Sequence, residues 1–153
     1  MNDEPLVLDK FLPYRLSVLS NRLSAAIAES YSRRFGLSIP EWRVMAVLAL
    51  DSGLSAAEVA ERTAMDKVAV SRAVARLLST GRARRDTAAG DRRRSVLELT
   101  PAGQRIYRSV APALRRYEAE LLAGLGADER RALHELLKRL EERAARLAPP
   151  RID

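Results

Sequence analysis

From Gly81 to Leu99 the chain reads Gly-Arg-Ala-Arg-Arg-Asp-Thr-Ala-Ala-Gly-Asp-Arg-Arg-Arg-Ser-Val-Leu-Glu-Leu, two short extended runs around a turn crowded with arginine. The runs span roughly Ala83 to Thr87 and Arg93 to Leu99, with Ala88-Ala89-Gly90-Asp91 as the turn. Charge is concentrated in the same third of the chain. Residues 62–94 hold ten Lys/Arg (Arg62, Lys67, Arg72, Arg76, Arg82, Arg84, Arg85, Arg92, Arg93, Arg94) against three acids, and that surplus matches the net charge of +7 for the whole chain. A solvated face would intersperse both signs. A confined basic patch is the footprint of a polyanion site, nucleic acid first of all.

The 153 residues, 47% apolar and without a low-complexity tract, suffice for one folded domain with a real core. The absence of cysteine excludes disulfides, thiolate metal sites and thiol redox sensing. The start, Met-Asn-Asp-Glu-Pro, lacks the basic and apolar regions of a signal peptide, and the longest apolar run, Val44 to Leu50, is too short to span a bilayer. The expected compartment is the cytoplasm, with no membrane partner.

Caps and periodicity place six helices. The first runs from about Asp9 to Phe35, with Leu12, Leu16, Leu19, Leu23 and Ile27 on one stripe and Gly36 as its stop. Ser38, Pro40 and Glu41 open the second as a capping box with proline at the first helical position, and Leu37 and Trp42 add a hydrophobic staple. The same grammar at Ser55-Ala56-Ala57-Glu58 starts a short third helix ending near Thr63, Gly53 having closed the second. Asp66 caps the fourth, which reaches about Thr80 before Gly81. It buries Val70, Val74, Leu77 and Leu78. Its opposite face, Val68, Ala69, Arg72, Ala75, Arg76 and Ser79, is a surface that a core has no use for. Thr100-Pro101 caps a fifth helix to about Leu125, Gly126 breaks it, and Asp128 starts a sixth that reaches about Leu147.

The order helix, helix, helix, strand, strand is that of a winged helix-turn-helix, so the fold class is mainly α with a small β-hairpin wing. Residues 37–100 form the DNA-binding core, 1–36 an N-terminal helix contributing to dimerisation, 101–148 the C-terminal dimerisation helices and 149–153 a tail. Leu121, Leu122, Leu125, Leu133, Leu136, Leu137, Leu140 and Leu147 supply more apolar surface than that core covers, so a symmetric homodimer is expected. An intramolecular three-helix packing of a monomer is the alternative.

The stretch Asp91-Arg92-Arg93-Arg94-Ser95-Val96-Leu97-Glu98-Leu99-Thr100-Pro101-Ala102-Gly103 matches the pattern Asp-x-Arg-x-x-x-Leu-x-Leu-Thr-x-x-Gly at every fixed position. That is the wing pattern of the MarR family of bacterial transcriptional regulators, which the chain resembles from about Asp9 to Leu147. Asp66 to Leu77 is similar to the family's recognition helix. One departure is Arg82, where the family commonly has an apolar residue; this is expected to weaken packing of the first wing strand. The resemblance implies a homodimer with two recognition helices in successive major grooves of a pseudo-palindromic operator, each wing in a flanking minor groove, and repression as the commonest outcome.

On that reading Lys67 suits a phosphate, and Arg72 is the candidate base contact, because a guanidinium bonds both acceptors of guanine. Arg76 shares the exposed face, and Val68 and Ala69 touch a thymine methyl. Ser71 reaches a base edge or a phosphate, or faces solvent. Arg93 stands at the family's fixed arginine and suits a narrow, negative minor groove; Asp91 orients it or caps the turn. Arg92 and Arg94 alternate to the other side of the hairpin and neutralise phosphates, as do Arg84 and Arg85, contacts that position without reading sequence.

No enzyme is indicated. His134 is the only histidine, the glycines are spaced as caps and turns, and Glu141-Glu142 read as salt-bridge partners. Neither cofactor nor metal is expected. Members of the family often respond to small aromatic or anionic ligands where the first, second and fifth helices meet the DNA-binding core. Tyr14, Arg15 and Ser17, with Trp42 and Arg43, are the candidate effector residues: an arginine beside aromatic rings holds a carboxylate or a thioester's phosphate-bearing tail while the rings grip an aromatic body. Leu-Pro-Tyr-Arg-Leu and Ser-Ile-Pro-Glu-Trp-Arg are similar to stretches in relatives tied to phenolic-acid breakdown, some of which sense the CoA thioester. Alternatively Trp42 and Tyr14 are core residues, and Arg15 or Arg43 pairs with an acid. The expected function is that of a sequence-specific transcriptional regulator, a repressor released by such a ligand. The alternatives are a ligand-independent architectural DNA-binding protein and a protein-interaction module that only keeps the fold.

Overall fold

A computed structural model describes residues 5–150, apart from the side chains of Asp91 and Arg92. A 3-10 turn at Leu8–Lys10 precedes α1 (Leu12–Phe35), α2 (Ile39–Leu50), α3 (Ala56–Thr63), α4 (Lys67–Ser79), the hairpin β1 (Ala83–Ala88) and β2 (Asp91–Leu99), α5 (Pro101–Leu121) and α6 (Ala127–Ala144). This is the winged helix-turn-helix order expected from the sequence. The chain divides into two compact units, Met1–Leu114 and Arg115–Asp153.

Local chemistry sets most helix ends. Gly36 takes the left-handed conformation at φ 62° and closes α1 on the Ser32 carbonyl. Ser55 and Glu58 exchange the two bonds of a complete capping box at α3. Asp66 Oδ1 accepts from the amides of Val68 and Ala69 at 2.8 and 3.2 Å. At α2 the expected box is only half made. Ser38 Oγ accepts the Glu41 amide at 3.3 Å, but Glu41 is 9% exposed and its Oε2 has no partner among the described residues. The first turn of α2 is itself embedded, with Leu37 and Trp42 both buried, and Glu41 is drawn inward with them.

The core of the first unit joins Tyr31, Val44, Met45, Leu48, Val59, Leu97 and Val110 to the inner face of α4, where Val70, Ala73, Val74 and Leu77 are buried and Leu78 is partly so. Trp42 is stacked between two tyrosines. Its ring lies 5.3 Å from Tyr31 of α1 and 5.8 Å from Tyr107 of α5, so one indole ties three helices.

A two-stranded hairpin alone is marginal in water, and this one is fastened at its root. The Gly53 amide donates to the Leu97 carbonyl at 3.0 Å and the Leu97 amide to the Leu54 carbonyl at 2.8 Å, which makes the α2–α3 loop a third, one-residue strand. Leu97 is wholly buried and Val96 nearly so. The strands pair from Ala83↔Leu99 to Thr87↔Ser95, after which the register jumps to Ala88↔Asp91. Arg92, Arg93 and Arg94 are therefore left in a bulge, where the strict alternation expected for them does not hold.

The hairpin is locked to α5 by Thr100. Its hydroxyl donates to the Gly81 carbonyl at 2.7 Å and accepts the Gly103 amide at 3.2 Å, while its own amide donates to the Arg82 carbonyl at 3.1 Å. Arg82, where the family commonly has an apolar residue, turns away from the strand. Its half-buried guanidinium reaches the Phe35 carbonyl, at the C-terminal end of α1, where the helix dipole favours a cation.

In the second unit the Gly126 amide donates to Glu129 at 2.7 Å and fixes the start of α6. No residue of α6 is buried, and Leu136, Leu137 and Leu140 are exposed. In α1 the expected apolar stripe is likewise uncovered at Leu12, Leu16 and Leu19. Among the described residues no helix is long and apolar enough to cross a membrane.

Candidate nucleic-acid interface

The outward face of α4 carries its functional side chains as the helical period requires. Val68, Arg72 and Arg76 stand four apart on one line, flanked by Lys67 and Ser71. All five are exposed, Val68 to 56%, and Ala69 is half-buried beneath them. Asp66, the acid nearest this face, is occupied by the two amides it caps. Lys67, Arg72 and Arg76 take part in no side-chain ion pair among the described residues. The 13 residues of α4 give a cationic rod about 20 Å long at ~1.5 Å per residue, a size that a major groove admits.

The wing arginines divide by what they hold. Arg84 binds Glu98 through Nε at 3.1 Å and Nη2 at 2.6 Å, and Arg85 donates to Ser95 Oγ at 3.0 Å. Arg94 places Nη2 2.6 and 2.7 Å from the two carboxylate oxygens of Glu58 in α3. Arg93 is exposed on the bulge. The side chains of Asp91 and Arg92 lie outside the described residues. Two of the arginines expected to neutralise phosphates, Arg84 and Arg94, are thus in ion pairs within the protein. Glu98 faces Arg84 directly in the strand register and was legible from the hairpin; no local pattern points from Arg94 to Glu58.

Glu58 has an acidified carboxyl, held down at about 2, first by the Ser55 amide, then by Arg94 and the Ser55 hydroxyl. A carboxyl whose folded pKa lies below its unfolded value stabilises the fold above the unfolded value and loses that contribution as pH falls through the folded one. Glu58 is therefore expected to hold both the α3 cap and Arg94 at neutral pH, and to release them only between about pH 4.5 and about pH 2. A carboxyl-carbon NMR titration of Glu58 checks this; a midpoint near 4.5 would refute it.

The structure separates the candidate effector residues into two groups. Tyr14 and Arg15 line an open depression of about 320 Å³ with Asp9, Val18, Leu19 and Arg22; Ser17 is exposed on α1 and does not line it. Trp42 lies in the core stack, and Arg43 donates to Ser24 Oγ at 3.1 Å. From Tyr14 to Tyr31, the ring on which Trp42 stacks, α1 climbs about 25 Å at ~1.5 Å per residue. Within one chain Tyr14 and Trp42 do not meet. Burial pushes the Tyr31 hydroxyl pKa up, partly opposed by the Arg43 charge. His134 is exposed on α6.

A sequence profile of the MarR family matches residues 35–94. The HTH-type transcriptional repressor Rv2887 of Mycobacterium tuberculosis is 28% identical over 140 residues, covering 91% of this chain and 95% of that protein. Among solved structures, a MarR/EmrR family transcriptional regulator from Acinetobacter sp. ADP1 superposes with a TM-score of 0.85 at 27% identity, over 93% of this chain and 100% of the other. The PcaV transcriptional regulator from Streptomyces coelicolor, solved in complex with its natural ligand, superposes with a TM-score of 0.70 at 26% identity, over 92% of this chain and 99% of its own. With the helix order, the wing and the exposed cationic α4 in place, the chain is similar, in its winged helix-turn-helix fold and in the sequence of residues 35–94, to the MarR family of transcriptional regulators.

Proposed function

We propose that this protein is a sequence-specific, homodimeric DNA-binding repressor released by a small aromatic or anionic ligand. The observation that carries the reading is the outer face of α4, where Lys67, Arg72 and Arg76 are exposed without acidic partners among the described residues, in a chain that also carries an arginine-bearing wing. In this reading Arg72 reads a base, Val68 and Ala69 meet a thymine methyl, and Ser71 and Arg76 flank them. Lys67 and Arg85 hold phosphates, and Arg93 enters a minor groove with Asp91 and Arg92 beside it. Dimerisation is supported by the uncovered leucines of α6 and of the first half of α1. The named repressor among the relatives favours repression.

The effector reading centres on Tyr14 and Arg15. Their depression offers two guanidinium groups, Arg15 and Arg22, against one carboxylate, Asp9, with an aromatic ring and the apolar Val18 and Leu19, a net positive set suited to a carboxylate on an aromatic body. PcaV, solved with its natural ligand, supports ligand control. Trp42 and Arg43, which pack against the second half of α1, do not line this depression within one chain.

A fluorescence-anisotropy titration on the protein's own upstream intergenic DNA against a scrambled duplex, at two salt concentrations, tests this. Tight binding to the first duplex alone is expected, lost on Arg93→Ala and reversed by hydroxycinnamates, benzoates or their CoA esters. Equal, weak and steeply salt-dependent binding to both duplexes would instead make the protein an architectural DNA binder.

A further inference from the structure

We propose that Arg94 positions the wing by tethering its bulge to the first turn of α3 through Glu58, and that it does not touch DNA. This rests on the reading of the hairpin as a DNA-binding wing. The register leaves residues 92–94 without ladder partners, while the bridge between Leu54 and Leu97 holds only the root of β2. Arg94 supplies a second point of attachment. Its Nη2 straddles both Glu58 oxygens at 2.6 and 2.7 Å, which anchors the backbone on which Arg93 stands.

The anchor is stiff because Glu58 is already fixed. Its Oε2 accepts the Ser55 amide at 2.7 Å and the Ser55 hydroxyl at 2.8 Å, and the Glu58 amide returns a bond to Ser55 Oγ. An ordinary surface ion pair must order two free side chains; here the α3 cap has ordered one of them. A swing of Arg94 to a phosphate would exchange one ion pair for another and leave the Glu58 charge facing the same polyanion, so the gain at the phosphate is offset by the lost pair and the added repulsion.

The two roles give opposite signs for one substitution. Glu58→Gln retains a capping side chain, since glutamine also serves at that position, and removes the charge. With a tether, Glu58→Gln and Arg94→Gln each weaken operator binding about three- to tenfold across two wings. The double variant is then no worse than the weaker single, and the slope of log K against log salt is unchanged. If Arg94 instead neutralises a phosphate, Glu58→Gln binds more tightly, and Arg94→Gln reduces the slope by about 0.9 for each phosphate no longer neutralised. That result, or no effect of either change, overturns the proposal. Hydrogen exchange of residues 92–95 in the DNA-free protein gives an independent readout: both variants are expected to exchange faster there by more than any change in overall stability, read from the thermal midpoint, accounts for. If the unchanged protein fails to discriminate operator from scrambled duplex, the DNA-reading function falls. The exchange comparison still decides the tether, and unchanged exchange refutes it.

Discussion

Gly103→Ala is expected to destabilise the fold by about 3 kcal/mol, at the upper end of what overpacking costs. Helix propensity alone predicts the reverse, since alanine in a helix interior is favoured over glycine by about 1 kcal/mol. The difference is the approach of α5 to the hairpin root. A Cβ on Gly103 would fall far inside van der Waals distance of the Arg82 carbonyl oxygen and 3.3 Å from Leu99 Cδ2. The oxygen cannot rotate away, because it belongs to the main chain and accepts the Thr100 amide. Relief requires α5 to move off the hairpin, with loss of the bonds that Thr100 makes to Gly81 and Gly103. Thermal denaturation at fixed protein concentration is the measurement, with roughly 2–4 °C lost per kcal/mol for a chain of this size. An unchanged or higher midpoint would show that α5 does not approach the hairpin this closely.

Arg72→Ala is expected to lower operator affinity by about 1–3 kcal/mol for each half-site base pair it ceases to read, which is about 30-fold to on the order of 10,000-fold when both half-sites are affected. Magnitude alone does not identify a base-reading residue, so the pattern across sequences matters more. The variant should bind equally well to operators that differ at the base pair Arg72 reads, while the unchanged protein discriminates between them. Lys67→Ala is the comparison. Removing a cation that neutralises a phosphate weakens all duplexes together and lowers the salt slope by about 0.9. Competition titrations with single-base-pair operator variants separate the two patterns. If Arg72→Ala behaves as Lys67→Ala should, Arg72 holds backbone and sequence is read elsewhere.

Most helix starts and stops were legible because they depend on residues a few positions apart: Ser55 with Glu58, Asp66 with two following amides, Gly36 and Gly81 at positive φ. The outward face of α4 was legible for the same reason, through the helical period. Contacts that close over distance were not. The bridge between Leu54 and Leu97 joins a loop to a strand across two helices, and nothing in either stretch marks the other. The bulge at residues 92–94 depends on how the register closes around Gly90, so strict alternation was a poor guide to Arg92 and Arg94. Composition revealed a basic segment but not that Glu58 and Glu98, outside or at the edge of it, occupy two of its arginines. The resemblance puts Tyr14 and Trp42 together because family members often take ligands where the first, second and fifth helices meet the DNA-binding core; the 24 residues of α1 keep the two apart within one chain. The half-made cap at Glu41 is a smaller case, since a Ser-x-x-Glu spacing does not say whether the glutamate is free to turn back.

The lock between hairpin and α5 changes what a match to the wing pattern signifies. Leu97 and Leu99 are core, Thr100 is a latch, and Gly103 is a gap left for a carbonyl; none of these duties involves DNA. A descendant that had abandoned every operator would still need them to fold, and would be recognised by them. Kinship is therefore recorded in the second half of the motif, while on the proposed DNA-binding reading occupation is recorded in Asp91, Arg93 and the outer side of α4. Two chains that agree at Leu-x-Leu-Thr-x-x-Gly and differ before it share an ancestor's architecture without sharing its employment.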